Sequence, residues 1–121
     1  MEAVLDPSVV LKWFVPEERG SLEARQIRVD YEAGDLVVIV PHLLFLELLN
    51  VVGRRWGWDS DALDELADAL EDLSFEVGEP SLDLVASWVA RGLTAYDATY
   101  VALAEARKVP LVTDDEEVVV A

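Results

Sequence analysis

Residues 36–40 read Leu36-Val37-Val38-Ile39-Val40, and this run decides how the rest of the chain is interpreted. An unbroken apolar run that is mostly β-branched favours a strand buried on both faces. Strands of that kind belong to parallel sheets, whose faces are covered by helices. The following residues agree, because Pro41 suits the first turn of a helix, which we predict to extend to about Trp56.

Working outward, the chain alternates between short apolar runs and helical patterns. Further strands are predicted at 3–5, 75–77 and 111–113. Further helices are predicted at 8–14, 21–33, 81–92 and 95–108, with one more beginning at Asp59 or Ser60. The helix after Asp59 carries an apolar face of Leu63, Leu66, Ala67, Leu70 and Leu73, and the helix after Ser81 one of Leu82, Val85, Ala86 and Val89. This alternation predicts an α/β fold, a three-layer α/β/α sandwich around a mostly parallel sheet.

Length and composition predict one domain over residues 1–121. The chain has no cysteine, which excludes disulfide frameworks and thiolate zinc sites. Glu2 stands where a signal peptide would carry basic residues, and no apolar run approaches the roughly 18 residues of a membrane span. We therefore expect a cytoplasmic protein without a membrane partner.

The formal net charge is −16, from 25 acids and 9 bases. Such a composition disfavours nonspecific attraction to nucleic acid, because phosphate binding depends largely on Lys and Arg. It is compatible with a solubility surface, with docking of a basic partner, or with acids gathered to hold cations, and bulk charge does not separate the three.

Four carboxylates stand out from this acidic background by their position. Glu47 interrupts an apolar helix, where an unpaired charge costs several kcal/mol. The alternative is that one side of this helix is exposed to solvent, where both Glu47 and Asn50 would contact water. Asp97 opens an alanine-rich helix, where the helix dipole by itself favours an acid. Asp6 and Asp115 follow predicted strands, where they could be a helix cap and a turn residue.

Taken together, these acids predict a metal centre. Ligands bind at the carboxyl ends of parallel strands, where Asp6 and Asp115 would lie. Several carboxylates in one cleft repel one another, and hard cations such as Mg²⁺ or Mn²⁺ relieve that repulsion through oxygen ligands. Such ions acidify water and neutralise phosphodiester charge, so the cluster points to phosphoryl transfer to water.

The sequence resembles the PIN-domain ribonucleases, and among them the VapC-type toxins of toxin–antitoxin pairs. The matching stretches are Asp6-Pro7-Ser8-Val9 with Leu11-Lys12-Trp13, Pro16-Glu17-Glu18, Pro41 with Glu47 and Asn50, Leu93-Thr94-Ala95-Tyr96-Asp97-Ala98-Thr99-Tyr100-Val101-Ala102-Leu103-Ala104, and Pro110-Leu111-Val112-Thr113-Asp114-Asp115. They span nearly the whole chain in the family's order, and the stretch around Asp97 is the most specific.

The resemblance implies a ribonuclease that uses Mg²⁺ or Mn²⁺, acts as a homodimer and is neutralised by a cognate antitoxin. Its acidic positions fall on Asp6, Glu47, Asp97 and Asp115, where the family's T-x-D pattern selects Asp115 over Asp114. Ser8, Asn50 and Thr113 match polar positions that accompany the acids. Pro7 departs from the small residue usual there. A last edge strand is also expected after Asp115, and residues 118–120 would be its beginning.

The basic and aromatic residues carry less specific functional signals than the four acids. Lys12, Arg54 and Arg55 are predicted to contact RNA phosphates, with ordinary surface solubility as the alternative. The single histidine, His42, is interpreted as a structural or surface residue. The four tryptophans, Trp13, Trp56, Trp58 and Trp88, are predicted to pack in the core or an interface.

Two other functional classes compete with a nuclease. An aspartyl phosphotransfer domain needs a lysine beside its nucleophile, but neither Lys12 nor Lys108 follows a strand. A non-catalytic binding or regulatory domain with the same fold would be indicated by an incomplete acid set, whereas all four positions carry acids here. The net charge of −16 is the feature that favours this alternative.

Overall fold

The computed structural model describes residues 1–14 and 21–113. Its strands are β1 (Glu2–Leu5), β2 (Val37–Val40), β3 (Glu76–Val77) and β4 (Leu111–Val112). Its helices are α1 (Pro7–Phe14), α2 (Ser21–Glu32), α3 (Leu43–Asn50), α4 (Ser60–Asp72), α5 (Leu82–Ala90) and α6 (Ala95–Arg107), with a π-helix (Val51–Arg55) directly after α3. The predicted edge strand at 118–120 lies outside the described residues.

The described strands form one parallel sheet in the order β3-β2-β1-β4. Val4 of β1 lies opposite Ile39 of β2 on one side and Leu111 of β4 on the other. The predicted α/β/α fold with its parallel sheet is confirmed. The strand residues Val4, Leu5 and Ile39 are completely buried, as the apolar runs predicted.

The chain reverses its direction across the sheet after β3. It steps outward from β1 to β2 to β3 and then returns past them to place β4 on the other side of β1. Parallel crossovers are right-handed, so this reversal sends α5 and α6 to the face opposite the helices of the first two crossovers. α6 packs on β1 and β4, and α5 packs on α6. The carboxyl ends of β1 and β4 therefore meet where the direction of winding changes.

Helix starts follow the local capping signals. The side chains of Asp59, Ser81 and Thr94 accept backbone N–H bonds from the third residue after each, at 2.9, 3.4 and 3.1 Å. The Thr94 cap confirms the predicted start of α6, and the bond it accepts comes from the backbone N–H of Asp97. Gly34 follows α2 with a φ of +82°, a backbone conformation that favours glycine.

The helix predicted at 41–56 is wrong in its second half. It begins at Leu43, and from Val51 to Arg55 the chain winds as a π-helix, closed by a 3.3 Å bond from Trp56 N–H to the Val51 carbonyl. Gly53 packs beside α4, where an added Cβ would stand 3.4 Å from Leu63 Cδ2, an ordinary van der Waals distance. Helix periodicity did not predict this wider turn.

The apolar face predicted for α5 is also wrong as a packing face. Leu82 is 84% exposed, and Val89 and Ala86 are exposed as well. The helix packs on α6 through Trp88, whose indole N–H donates to Glu105 Oε2 at 3.0 Å. Trp88, rather than the predicted face, therefore packs against the core. By contrast, the apolar face predicted for α4 is confirmed, since Leu66 and Leu70 are buried.

The remaining elements differ from the predicted bounds by one or two residues, as is usual for fraying ends. Within residues 1–14 and 21–113, no helix is long and apolar enough to cross a membrane.

Candidate active site

Asp6 and Thr113 occupy the point where the winding of the sheet reverses. Asp6 directly follows β1 and Thr113 directly follows β4, and these two strands are parallel neighbours. In open α/β sheets this reversal leaves a crevice at the carboxyl ends of the strands, where ligands bind. The fold therefore places Asp6 at the sheet's natural ligand edge.

The carboxylate of Asp6 is held on both of its oxygens. Ser8 donates to Oδ1 twice, from its backbone N–H at 3.0 Å and from its hydroxyl at 2.5 Å. Thr113 donates from its hydroxyl to Oδ2, across a separation of 107 residues in the chain. Three of the predicted site residues are thus brought into direct contact, and the Asp6 side chain is locked in one orientation.

The Asp6 carboxylate is also largely withdrawn from water. The residue is only 8% exposed, and burial raises the pKa of its carboxyl above the ordinary value. The hydrogen bonds from Ser8 and Thr113 favour the charged form and only partly offset this rise in the pKa. A negative charge at Asp6 is therefore maintained at a cost, which a cation would reduce.

Glu47 faces the same region from α3. It is half-buried, and its neighbours Leu44 and Leu48 are completely buried in the core. Burial is the largest cause that raises the pKa of its carboxyl, and repulsion from Asp97 and Asp6 raises that pKa further. The predicted conflict between this acid and its apolar helix is therefore present, and the neighbouring acids add to it.

Asp97 enters from the first turn of α6, and its side chain is half-buried. The charges of both Asp97 and Asp6 act on Glu47, so the three acids share one electrostatic environment although they come from three separate elements. This electrostatic coupling of acids from separate elements is the main feature of the site. The fourth predicted acid, Asp115, and its neighbour Asp114 lie outside the described residues.

The three acids fit a hydrated hard cation better than a closed metal cage. Among residues 1–14 and 21–113, no three His, Asp or Glu side chains approach one another closely enough to enclose an ion. Mg²⁺ is usually bound through one or two carboxylates while it keeps several of its waters. The donor set consists of carboxylate oxygens, and Glu47 is repelled by Asp97 and Asp6, so its chemistry suits that mode of binding.

Tyr100 also belongs to this site, although it was not among the site residues predicted from the sequence. The residue is 2% exposed, and its hydroxyl donates to Glu47 Oε1 at 3.2 Å. Burial and the charge of Glu47 raise the pKa of the phenol, so the hydroxyl remains a donor. A usable signal was its spacing, because Tyr100 lies three residues after Asp97 and hence on the same face of α6.

The other predicted residues lie at varying distances from solvent. Asn50 is exposed at the end of α3, and Arg54 and Arg55 are exposed in the π-helix that follows. Lys12 is only 7% exposed, so it offers less surface to a polyanion than the two arginines. Whether any of the three bases meets RNA stays a prediction.

The tryptophans and the histidine lie mainly where they were expected. Trp13 is buried and contacts the rings of Tyr31 and Phe75. Trp58 and Trp88 pack partly against the core, whereas Trp56 is 40% exposed. His42 is exposed and lies against Phe45.

The fold and the acids at its point of reversal define a small α/β domain with a carboxylate centre. The chain belongs to the PIN domain family, whose match covers residues 3–120. It is 31% identical over 128 residues to Ribonuclease VapC3 of Pyrobaculum aerophilum, covering 97% of this chain and 92% of that protein.

Two solved structures share the architecture. PAE2754 from Pyrobaculum aerophilum is 28% identical, with a TM-score of 0.64 over 97% of this chain and 82% of that one. VapC20 of Mycobacterium tuberculosis, described as a sarcin-ricin loop cleaving toxin, has a TM-score of 0.70 at 17% identity, over 93% of this chain and 91% of that one. At that identity the second likeness concerns the fold alone.

Proposed function

We propose that this chain is a metal-dependent endoribonuclease that hydrolyses RNA phosphodiester bonds. The observation that carries the proposal is the repulsion of Glu47 by Asp97 and by Asp6, the acid that stands where the sheet reverses. Similarity to a protein named as a ribonuclease supports RNA as the substrate. We further propose Asp115 as the fourth acid and Mg²⁺ or Mn²⁺ as the cofactor, since hard cations prefer carboxylate oxygens.

The chain's own residues would prepare this site in a definite way. Ser8 and Thr113 hold the Asp6 carboxylate fixed, so little reorganisation remains when a ligand arrives. The apolar wall of α3 keeps Glu47 partly desolvated, which strengthens every electrostatic interaction there. A divalent cation, when bound, lowers the pKa of water and neutralises charge on the phosphodiester.

RNA must be attracted by local positive charge, because the chain as a whole carries −16. Arg54 and Arg55 follow the helix that bears Glu47 and Asn50, and both are exposed. In the described part of the chain, neither forms an ion pair with an acid. Both guanidinium groups are therefore exposed and available to phosphate oxygens.

Replacing Arg54 or Arg55 with glutamine is expected to raise the KM for RNA about five-fold with kcat unchanged, because an exposed phosphate contact is worth about 1 kcal/mol. The slope of log affinity against log salt should fall by about 0.7 for each arginine. Lys108→Gln is the matched control, since it removes the same charge at the opposite end of α6 from Asp97. Equal effects at Lys108 would mean that only net charge matters.

The proposed partners follow from the same resemblance. We propose that the protein is the toxin of a toxin–antitoxin pair, acts as a homodimer and works in the cytoplasm. Size-exclusion chromatography with light scattering tests the dimer. Growth arrest on induced expression, relieved by a neighbouring gene product, tests the toxin role.

The deciding experiment is cleavage of a mixed panel of labelled RNAs by the purified protein with Mg²⁺, with Mn²⁺ and with EDTA. Cutting that requires a divalent ion supports the proposal. Absence of cutting, together with absence of Mn²⁺ binding by calorimetry, would instead favour a non-catalytic binding domain, the alternative with which the net charge of −16 agrees.

A further inference from the structure

The buried phenol of Tyr100 links the two helices that carry acids of the site. Tyr100 lies on α6, one turn after Asp97, and its hydroxyl reaches Glu47 Oε1 on α3 at 3.2 Å. Among the described residues, it is the side chain that donates to the Glu47 carboxylate. The second oxygen, Oε2, has no hydrogen-bond donor in that part of the chain.

A buried phenol needs a hydrogen-bond acceptor, and the acceptor of Tyr100 is a carboxylate. Tyr31 meets the same requirement with a backbone carbonyl, that of Leu73. Tyr100 instead donates to a carboxylate that two further acids repel. A hydrogen bond to a charged group is stronger than one to a neutral acceptor, so this contact restrains Glu47 as well as satisfying the phenol.

That restraint has a geometrical consequence. A glutamate repelled by Asp6 and Asp97 lowers its energy by rotating away from them, and its flexible side chain permits this. The hydroxyl of Tyr100, fixed in the core on the Asp97 helix, opposes that rotation. The carboxylate is then held toward the other acids, with one oxygen occupied and the other available.

We propose that Tyr100 is a positioning residue, whose hydroxyl holds Glu47 so that Oε2 is presented to a divalent cation shared with Asp6 and Asp97. The inference rests on the proposed metal-dependent function and names a residue that acts through Glu47. Partners that orient a metal-binding side chain commonly change metal affinity by 10–100-fold when they are lost.

The test is Mn²⁺ binding by titration calorimetry to the full chain, with Tyr100→Phe compared to Tyr31→Phe. Both substitutions remove one phenol hydroxyl and its hydrogen bond. Tyr31 lines a cavity beside Val37, which lies at the amino-terminal start of β2. Asp6 lies instead at the carboxyl end of β1, so this cavity is at the other end of the strands. We expect Mn²⁺ to bind Tyr100→Phe about ten-fold more weakly than it binds the unaltered chain. Tyr31→Phe should bind Mn²⁺ as tightly as the unaltered chain does.

Two further measurements separate positioning from a loss of structure. In RNA cleavage, the Mn²⁺ concentration for half-maximal rate should rise about ten-fold in Tyr100→Phe, while saturating Mn²⁺ restores the rate. In a Glu47→Gln background, Tyr100→Phe should have little further effect on Mn²⁺ binding, because the residue acts through Glu47.

The outcomes distinguish this inference from the proposed function. If the unaltered chain binds Mn²⁺ and Tyr100→Phe binds it equally well, the positioning role is overturned and the metal site stands. An equal loss in both backgrounds, or an equal loss in Tyr31→Phe, also overturns it. If the unaltered chain binds no Mn²⁺, the metal site and the role of Tyr100 are overturned together.

Discussion

Asp6→Asn is expected to lower metal-dependent RNA cleavage by more than about 100-fold while the protein stays folded. Loss of an outer partner of a metal site already costs 10–100-fold, and Asp6 is proposed to contact the ion itself. The substitution is nearly isosteric, so the new amide can still accept the bonds from Ser8 through its carbonyl oxygen. What it removes is the negative charge on a residue that is 8% exposed.

The comparison should include Asp97→Asn, for which we expect a loss of similar size, and Asp64→Asn as the control. Asp64 is an exposed acid on α4, so its substitution changes the net charge by the same amount without touching the site. Circular dichroism and thermal unfolding would confirm that each variant is folded. Cleavage that survives Asp6→Asn and Asp97→Asn would show that the chemistry lies elsewhere or in a contaminant.

Glu47→Gln is expected to abolish cleavage and yet stabilise the metal-free protein by about 1 kcal/mol, since a strained functional residue often lowers stability. The pKa of the folded-state Glu47 carboxyl is raised by burial and by repulsion from Asp97 and Asp6. The substitution removes the repelled charge, and the carbonyl oxygen of the new amide can still accept the Tyr100 hydroxyl.

The same raised pKa sets the sign of a pH dependence. Because the folded state holds its proton more tightly, the stabilising contribution of Glu47 is fully present below the unfolded-state pKa of about 4.3. It is lost as pH rises through the raised folded-state pKa. In EDTA, the melting temperature of the unaltered chain should therefore fall more steeply above about pH 4.3 than that of Glu47→Gln.

Added Mn²⁺ should counteract this trend more strongly in the unaltered chain than in Glu47→Gln, because ion binding requires ionised carboxylates and stabilises the folded state. Melting curves across pH, with EDTA and with Mn²⁺, measure both effects. If the melting temperatures of the unaltered chain and of Glu47→Gln changed in parallel with pH in EDTA, burial and repulsion at Glu47 would not destabilise the folded state as proposed. Asp64→Asn again serves as the control for the change in net charge.

The sequence by itself determined the features whose causes are local. The strand at 37–40 was recognisable because a short run of β-branched residues favours a buried strand, and Val38, Ile39 and Val40 are indeed buried. The start of α6 was recognisable because Thr94 caps an N–H only three residues away. Glu47 stood out because a charge in an apolar helix is costly wherever that helix packs.

Only the tertiary structure decided which of these residues meet. The strand order β3-β2-β1-β4 brings Asp6 to Thr113 across 107 residues, and helix packing brings Tyr100 to Glu47 across 53. The π-helix at Val51–Arg55 and the outward-facing Leu82 likewise became apparent only in the tertiary structure. Such contacts have no local signature, because they arise from the free energy of packing whole elements together, to which each residue contributes only a small part.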